Sequence, residues 1–208
     1  MTPLEPYLRE LRDIRSSGAA VKETSYYGPL ATLLNEIGKT LKPKVRCIIN
    51  LKNQGAGLPD GGLFAVDQFQ RASEAEPLSG QIPARGAIEA KGTSSDAWSI
   101  AAGEQVARYL KRYRQVLVTN YRDFVLVGHD AEGKPAVLET YRLADSESAF
   151  WAATANPAKM AAAHGERFTA YLKLVMLHAA PLAARAAVGF QESVAGLGRA
   201  GPPDRRAA

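Results

Sequence analysis

Apolar positions recur along this chain with two different periods. Leu4, Tyr7, Leu8, Leu11 and Ile14 return at intervals of three and four, which predicts an amphipathic helix closed by Ser16-Ser17-Gly18. Thr2-Pro3-Leu4-Glu5 reads as its start, with Thr2 as N-cap and Pro3 at the first helical position. A second helix is predicted from about Glu23-Thr24-Ser25, with Tyr27, Leu30, Leu34, Ile37 and Leu41 along one face. Pro29 falls near its first turn, where proline does least harm. The pattern then changes: Val45, Ile48 and Ile49 predict a strand within 44–51, and Asn53-Gln54-Gly55-Ala56-Gly57 a turn. Gly61 to Val66 and Ala84 to Ile88 predict two more strands, joined by a polar, exposed loop over 71–83.

Gly92-Thr93-Ser94-Ser95-Asp96 supplies a turn and an N-cap, and one helix of roughly four to five turns is expected from there to about Tyr113. Val116, Leu117 and Val118 mark a buried strand, Asn120-Tyr121-Arg122 a turn, 123–128 a strand and 136–143 an edge strand. Residues 146–180 are alanine-rich and helical, broken at Asn156-Pro157. This order predicts an α/β fold with a mixed sheet flanked by helices. Past Pro181 the apolar period fades into Ala, Gly, Arg and Pro. The expected division is an N-terminal helix over 1–20, a core over 21–145, a helical extension over 146–181 and a disordered tail over 182–208.

Composition narrows the class without changing it. At 208 residues, 46% hydrophobic and 23% charged, the chain can bury one substantial core. No apolar run is long enough to cross a membrane, and the start has no signal-like core, so no membrane partner is expected. Cys47 is the lone cysteine, which excludes an internal disulfide and makes a cytoplasmic location the expectation. The net charge of +5 is modest, and four basic residues against two acids fall beyond 181.

The candidate chemistry lies at the ends of two predicted strands. Asp60 opens one run, and Glu89-Ala90-Lys91 closes the other 29 residues later. On adjacent strands the two carboxylates meet at one sheet edge, and Glu89 and Lys91, two apart, share a face. Such a pair holds a hard cation such as Mg²⁺ through oxygen, with the Ala90 carbonyl as a further ligand and Lys91 beside the attacking water. Acids at strand ends also occur as ordinary turn residues. Gln105 and Tyr109 are four apart on the predicted helix and share a face. Arg108, Lys111, Arg112, Arg114 and Arg122 place five positive charges within 15 residues, interleaved with Tyr109, Tyr113 and Tyr121. That suits phosphate contacts, although charge runs are commonly just solvated faces. His129, His164 and His178 have no ligand spacing.

Gly57-Leu58-Pro59-Asp60, Ile88-Glu89-Ala90-Lys91-Gly92 and Gln105-Val106-Ala107-Arg108-Tyr109 resemble the successive motifs of the PD-(D/E)xK nuclease superfamily, the third its QxxxY motif. Glu23-Thr24-Ser25-Tyr26-Tyr27 and Val118 to Phe124 further resemble the N-terminal nuclease domain of Type IIG and Type ISP restriction–modification enzymes. The resemblance covers about 20–181 and implies a restriction endonuclease-like core. It implies a Mg²⁺-dependent DNA endonuclease, with Mn²⁺ as a substitute. In that reading Asp60, Glu89, Lys91, Glu23 and Gln105 are catalytic, Asp60, Glu89 and Ala90 hold the metal, and Tyr109, Arg108, Lys111, Arg112 and Arg122 contact double-stranded DNA. Without the resemblance, Glu23 reads equally well as a helix-start acid. An adenine-N6 methyltransferase and target-recognition polypeptide is the implied partner, and cutting two strands implies a transient dimer. Two other functions share these residues: a non-catalytic DNA-binding remnant, suggested by the lack of a recognition part within these residues, and a repair or recombination nuclease on branched DNA.

Overall fold

A computed structural model of the chain describes residues 2–53, 55–69 and 80–178. The expected tail over 182–208 and most of the expected loop over 71–83 lie outside the described residues.

The first apolar period forms α1, Leu4–Ser16, which buries Leu4, Tyr7, Leu8 and Leu11. Its start differs from the expectation. Pro3 is the cap residue, and the Thr2 hydroxyl is buried without a hydrogen-bond partner among the described residues. Thr2 lies instead against Gly165, where a Cβ would come within 2.4 Å of Thr2 Oγ1. Close packing thus claims the side chain that local propensity would use as a cap. The second helix, α2, spans Tyr27–Gly38 and begins after a single 3₁₀ turn at Thr24–Tyr26, leaving Glu23 outside it.

Six strands follow: β1 Val45–Ile49, β2 Gly61–Ala65, β3 Ala87–Ala90, β4 Val116–Thr119, β5 Asp123–His129 and β6 Pro135–Arg142. They form one sheet in sequence order. Every neighbouring pair is antiparallel except β3–β4, which is parallel. Parallel neighbours need a crossover rather than a hairpin. Here it is helical, but as two helices instead of the single one expected: α3 Ala97–Ala101 and α4 Glu104–Tyr113. Asp96 caps α3 by accepting from the Trp98 and Ser99 amides. Gly103 then takes an extended conformation (φ −77°, ψ 159°) and restarts the chain as α4. The last helices, α5 Glu147–Ala153 and α6 Pro157–His178, break at Asn156 as predicted.

Alternation along the strands sorts side chains to two cores. Ile88, Ala90, Leu117, Phe124 and Leu126 belong to a core with residues of α1, α2 and α6. Ala87, Val116, Val118, Val125 and Val127 belong to a second core with residues of α3 and α4. The first and last helices therefore share one core with the sheet. The molecule is a mixed six-stranded sheet flanked by helices with a C-terminal helix, the restriction endonuclease-like architecture expected. No described helix is long and apolar enough to cross a membrane.

Candidate active site

Register brings the two acid-bearing segments together. Gly61 pairs with Ile88 and Gly62 with Ala87, so Asp60 and Glu89 come next, at the same end of the antiparallel β2–β3 pair. The Asp60 side chain reaches across, and its Oδ2 accepts from the Ala90 amide at 2.8 Å. Its other oxygen, Oδ1, accepts from the Tyr27 hydroxyl at 2.5 Å. Each Asp60 oxygen thus has one donor, and the carboxylate is held in a single orientation.

Glu89 is different. Period-2 alternation turns it to the same face as Lys91, whose Nζ lies 2.6 Å from Glu89 Oε1. The ammonium serves Oε1, while the buried Oε2 has no hydrogen-bond partner among the described residues. Burial pushes the Glu89 carboxyl up to about 7. Lys91 pulls it down and the neighbouring charges of Asp60 and Glu23 push it further up. Burial alone would lower the Lys91 ammonium, but Glu89, Asp60 and Glu23 outweigh it and raise it.

Glu23 arrives from before α2. The Lys22 backbone packs against Gly92, where a Cβ would stand 3.2 Å from the Lys22 carbonyl oxygen. This approach sets Glu23 Oε1 3.4 Å from Lys91 Nζ and 3.3 Å from the Tyr27 hydroxyl. Lys91 Nζ also donates to the Ala90 carbonyl at 3.2 Å and lies 3.9 Å from Asp60 Oδ2. Glu23, Asp60, Glu89, Ala90 and Lys91 therefore meet at one place.

The donor set is all oxygen, which suits a hard cation. Among the described residues, no three Asp, Glu, His or Cys side chains surround one point as a ready metal cage. Mg²⁺ needs none, because it keeps several waters and binds through one or two carboxylates. Asp60, Glu89 with its unpartnered Oε2, and the Ala90 carbonyl fit that requirement.

The remaining candidates separate. Tyr109 is buried on α4, and Gln105 Nε2 donates to its hydroxyl at 2.9 Å. Burial raises the Tyr109 phenol, Gln105 lowers it, and the charges of Glu89 and Asp60 raise it again. Tyr109 packs inside the fold, with Gly57 closely over the ring. Arg108, Lys111 and Arg112 are exposed on α4. Arg122 is not with them. Its guanidinium donates to the Thr93 and Ala144 carbonyls and pairs with buried Asp123 at 2.9 Å. Arg142 holds the other oxygen of Asp123 at 2.8 Å. The segment 120–123 thus builds an internal ion network in which the Arg122 guanidinium is engaged, unlike the exposed cations of α4.

Comparison with known proteins adds little to this geometry. No protein-family model matches the chain. Nor does any curated protein. Among solved structures it is similar to a chain of a DrdV–DNA complex determined by cryo-electron microscopy, with 18% identity and a TM-score of 0.49. The match covers 74% of this chain and 13% of that one.

Two residues of the site were not read as such from the sequence, Tyr27 being placed on a helix face and Tyr121 in a turn among the basic residues. Tyr27 binds Asp60, and Tyr121 donates to the Glu23 carbonyl at 2.6 Å. Tyr27 had a visible signal, since it lies four residues after Glu23 and four-apart residues face each other along helical turns. Tyr121 had none, because its aim depends on a left-handed backbone at φ 71°.

Proposed function

We propose that the chain is a Mg²⁺-dependent DNA endonuclease module of the PD-(D/E)xK type, hydrolysing phosphodiesters by direct attack of water, with Mn²⁺ able to replace Mg²⁺. The observation that carries this reading is the meeting of Asp60 and Glu89 around Lys91 Nζ, with Glu89 Oε2 buried and without a hydrogen-bond partner among the described residues. An anionic group left without donors in a low-dielectric site is costly unless a cation serves it. Held by Asp60, Glu89 and the Ala90 carbonyl, Mg²⁺ supplies positive charge against the phosphate and makes water more acidic.

The chain's own residues have separate tasks. Tyr27 and the Ala90 amide fix Asp60, and each Asp60 oxygen keeps lone pairs for a cation. Lys91 stands beside both carboxylates, where its ammonium can orient the attacking water and offset charge building on the phosphate. Gln105 holds the hydroxyl of the buried Tyr109. The exposed cationic side of α4 supports duplex DNA as the substrate. The finer setting, a cleavage module working with an adenine-N6 methyltransferase and target-recognition polypeptide, rests on the sequence resemblance alone.

One observation favours a second reading, a non-catalytic DNA-binding module. The Lys91 ammonium already sits against three carboxylates, which would neutralise much of their charge without a metal. The test is incubation of the chain with Mg²⁺ and plain duplex, branched or single-stranded DNA. The proposed function predicts Mg²⁺-dependent cutting of plain duplex. Binding without cutting of any substrate supports the second reading, and cutting confined to branched DNA supports a repair or recombination nuclease.

A further inference from the structure

Beside the carboxylates lies a second feature, a cleft of about 430 Å³ between the 55–57 turn and α4. One wall carries Arg108, Lys111 and Arg112, spaced three and four apart so that they share a helix face. All three are exposed, and none makes a hydrogen bond or ion pair with a described residue. Even Glu104, four residues before Arg108, is not paired with it. Three like charges facing one cleft repel each other and lack a counter-charge in the described structure.

The opposite wall is Gly55, Ala56 and Gly57, with almost no side-chain bulk. The Gly55 and Gly57 amides donate to Asn53 Oδ1 at 2.8 and 3.2 Å, so they are committed within the turn. The positive potential of the cleft therefore comes from α4, and the turn contributes shape. Gly57 needs its glycine, since its φ of 113° excludes other residues and a Cβ would press on Tyr109 at 3.4 Å. The cleft is thus open on one side, cationic on the other and free of carboxylates among the described residues of its lining. It lies next to the candidate active site, because Gly57 is separated from Asp60 by at most about 11 Å of chain.

We infer that this cleft holds a backbone phosphate of the DNA, separate from the phosphate presented to Asp60, Glu89 and Lys91. The inference rests on the reading of the chain as a DNA nuclease and adds a second anchoring point to it. Two anchors on one strand fix where the scissile bond lies relative to the carboxylates, which a single contact cannot do. Guanidinium groups suit this role because they meet phosphate oxygens through paired N–H donors.

The experiment is the salt dependence of duplex binding by the whole chain, measured by fluorescence anisotropy with a random-sequence duplex in the absence of divalent metal. Three proteins are compared: wild type, the cleft variant Arg108→Ala/Lys111→Ala/Arg112→Ala, and a charge-matched control, Lys134→Ala/Lys159→Ala/Lys173→Ala, whose lysines are exposed elsewhere. Each lost phosphate contact lowers the slope of log K against log salt by about 0.9. The cleft variant, losing one phosphate contact, is expected to lose about 0.9 from the slope and the control close to none. Equal slopes in wild type and cleft variant, or equal losses in both variants, overturn the inference while leaving the nuclease reading to the cutting assay. No binding by wild type, even at low salt, overturns both.

Discussion

Tyr27 donates its phenol hydrogen to Asp60, one of the two bonds that aim the carboxylate. Tyr27→Phe keeps the ring and removes only that donor. Partners that orient metal ligands are typically worth about 10- to 100-fold in metal affinity. The expected result is therefore a Mg²⁺ half-saturation raised about tenfold or more, with the rate at saturating Mg²⁺ much less affected. A metal titration of cleavage checks it, and an unchanged half-saturation removes Tyr27 from the site. Glu89 gives a pH prediction. Burial raises its carboxyl from an ordinary 4.5 to about 7. Between those values the folded chain holds a proton that the unfolded chain has released, so stability falls as pH rises through this window and stays lower above it. At about 1.4 kcal/mol per pKa unit the cost at pH 8 is up to about 3 kcal/mol. The raised Lys91 ammonium offsets part of it throughout this range. Glu89→Gln should therefore raise the Tm at pH 8 and leave it unchanged near pH 4. Equal Tm shifts at both pH values would contradict the assignment. Mg²⁺ binding runs the other way, since it requires the ionised carboxylate. Calorimetry should find Mg²⁺ bound about tenfold more weakly at pH 6 than at pH 8.

Among the elements, β3 is the one on which the site depends. It has four residues, and it must bring Glu89 level with Asp60 on one side while pairing in parallel with β4 on the other. Gly86 makes this possible. Its φ of 102° is unfavourable for other residues, and a Cβ there would stand 2.5 Å from Gln115 Cγ and 2.8 Å from the Gln115 carbonyl oxygen. Gln115 cannot move freely, because its Nε2 donates to the Arg85 and Val175 carbonyls. Gly86→Ala should cost about 1–3 kcal/mol of stability and lower cleavage more than the lost folded fraction explains. Denaturant unfolding and cleavage rates measured side by side would show it; full stability and full activity together would refute it. The strands were legible because short apolar runs are bounded by turn residues, as at Gly61–Ala65 and Val116–Thr119. The two-helix crossover was not. A glycine inside a helical pattern is tolerated often enough that Gly103 gave no clear stop, and only packing on the sheet decides it. Asp60, Glu89 and Lys91 could be read as a group because strand alternation fixes their faces. The pairing of Arg122 was not legible, because a run of charges does not say which of them turns inward to a buried acid such as Asp123.

At the scale of the whole molecule, the site occupies one end of the β2–β3 pair, with α4 and its basic cleft on the flank. A single site faces one phosphate at a time, so cutting both strands needs two sites brought together. Supercoiled plasmid should first become nicked circles, and linear product should rise more steeply than linearly with protein concentration. Linear product appearing first, at a rate proportional to concentration, would argue against a transient dimer. Everything else depends on whether Asp60 and its neighbours cut DNA. The direct measurement compares wild type and Asp60→Ala on supercoiled plasmid in Mg²⁺ and in chelator, with circular dichroism confirming that both are folded. The predicted result is cutting by wild type in Mg²⁺ alone and none by the folded variant. Equal cutting by Asp60→Ala, or wild-type cutting that persists in chelator, would contradict the account.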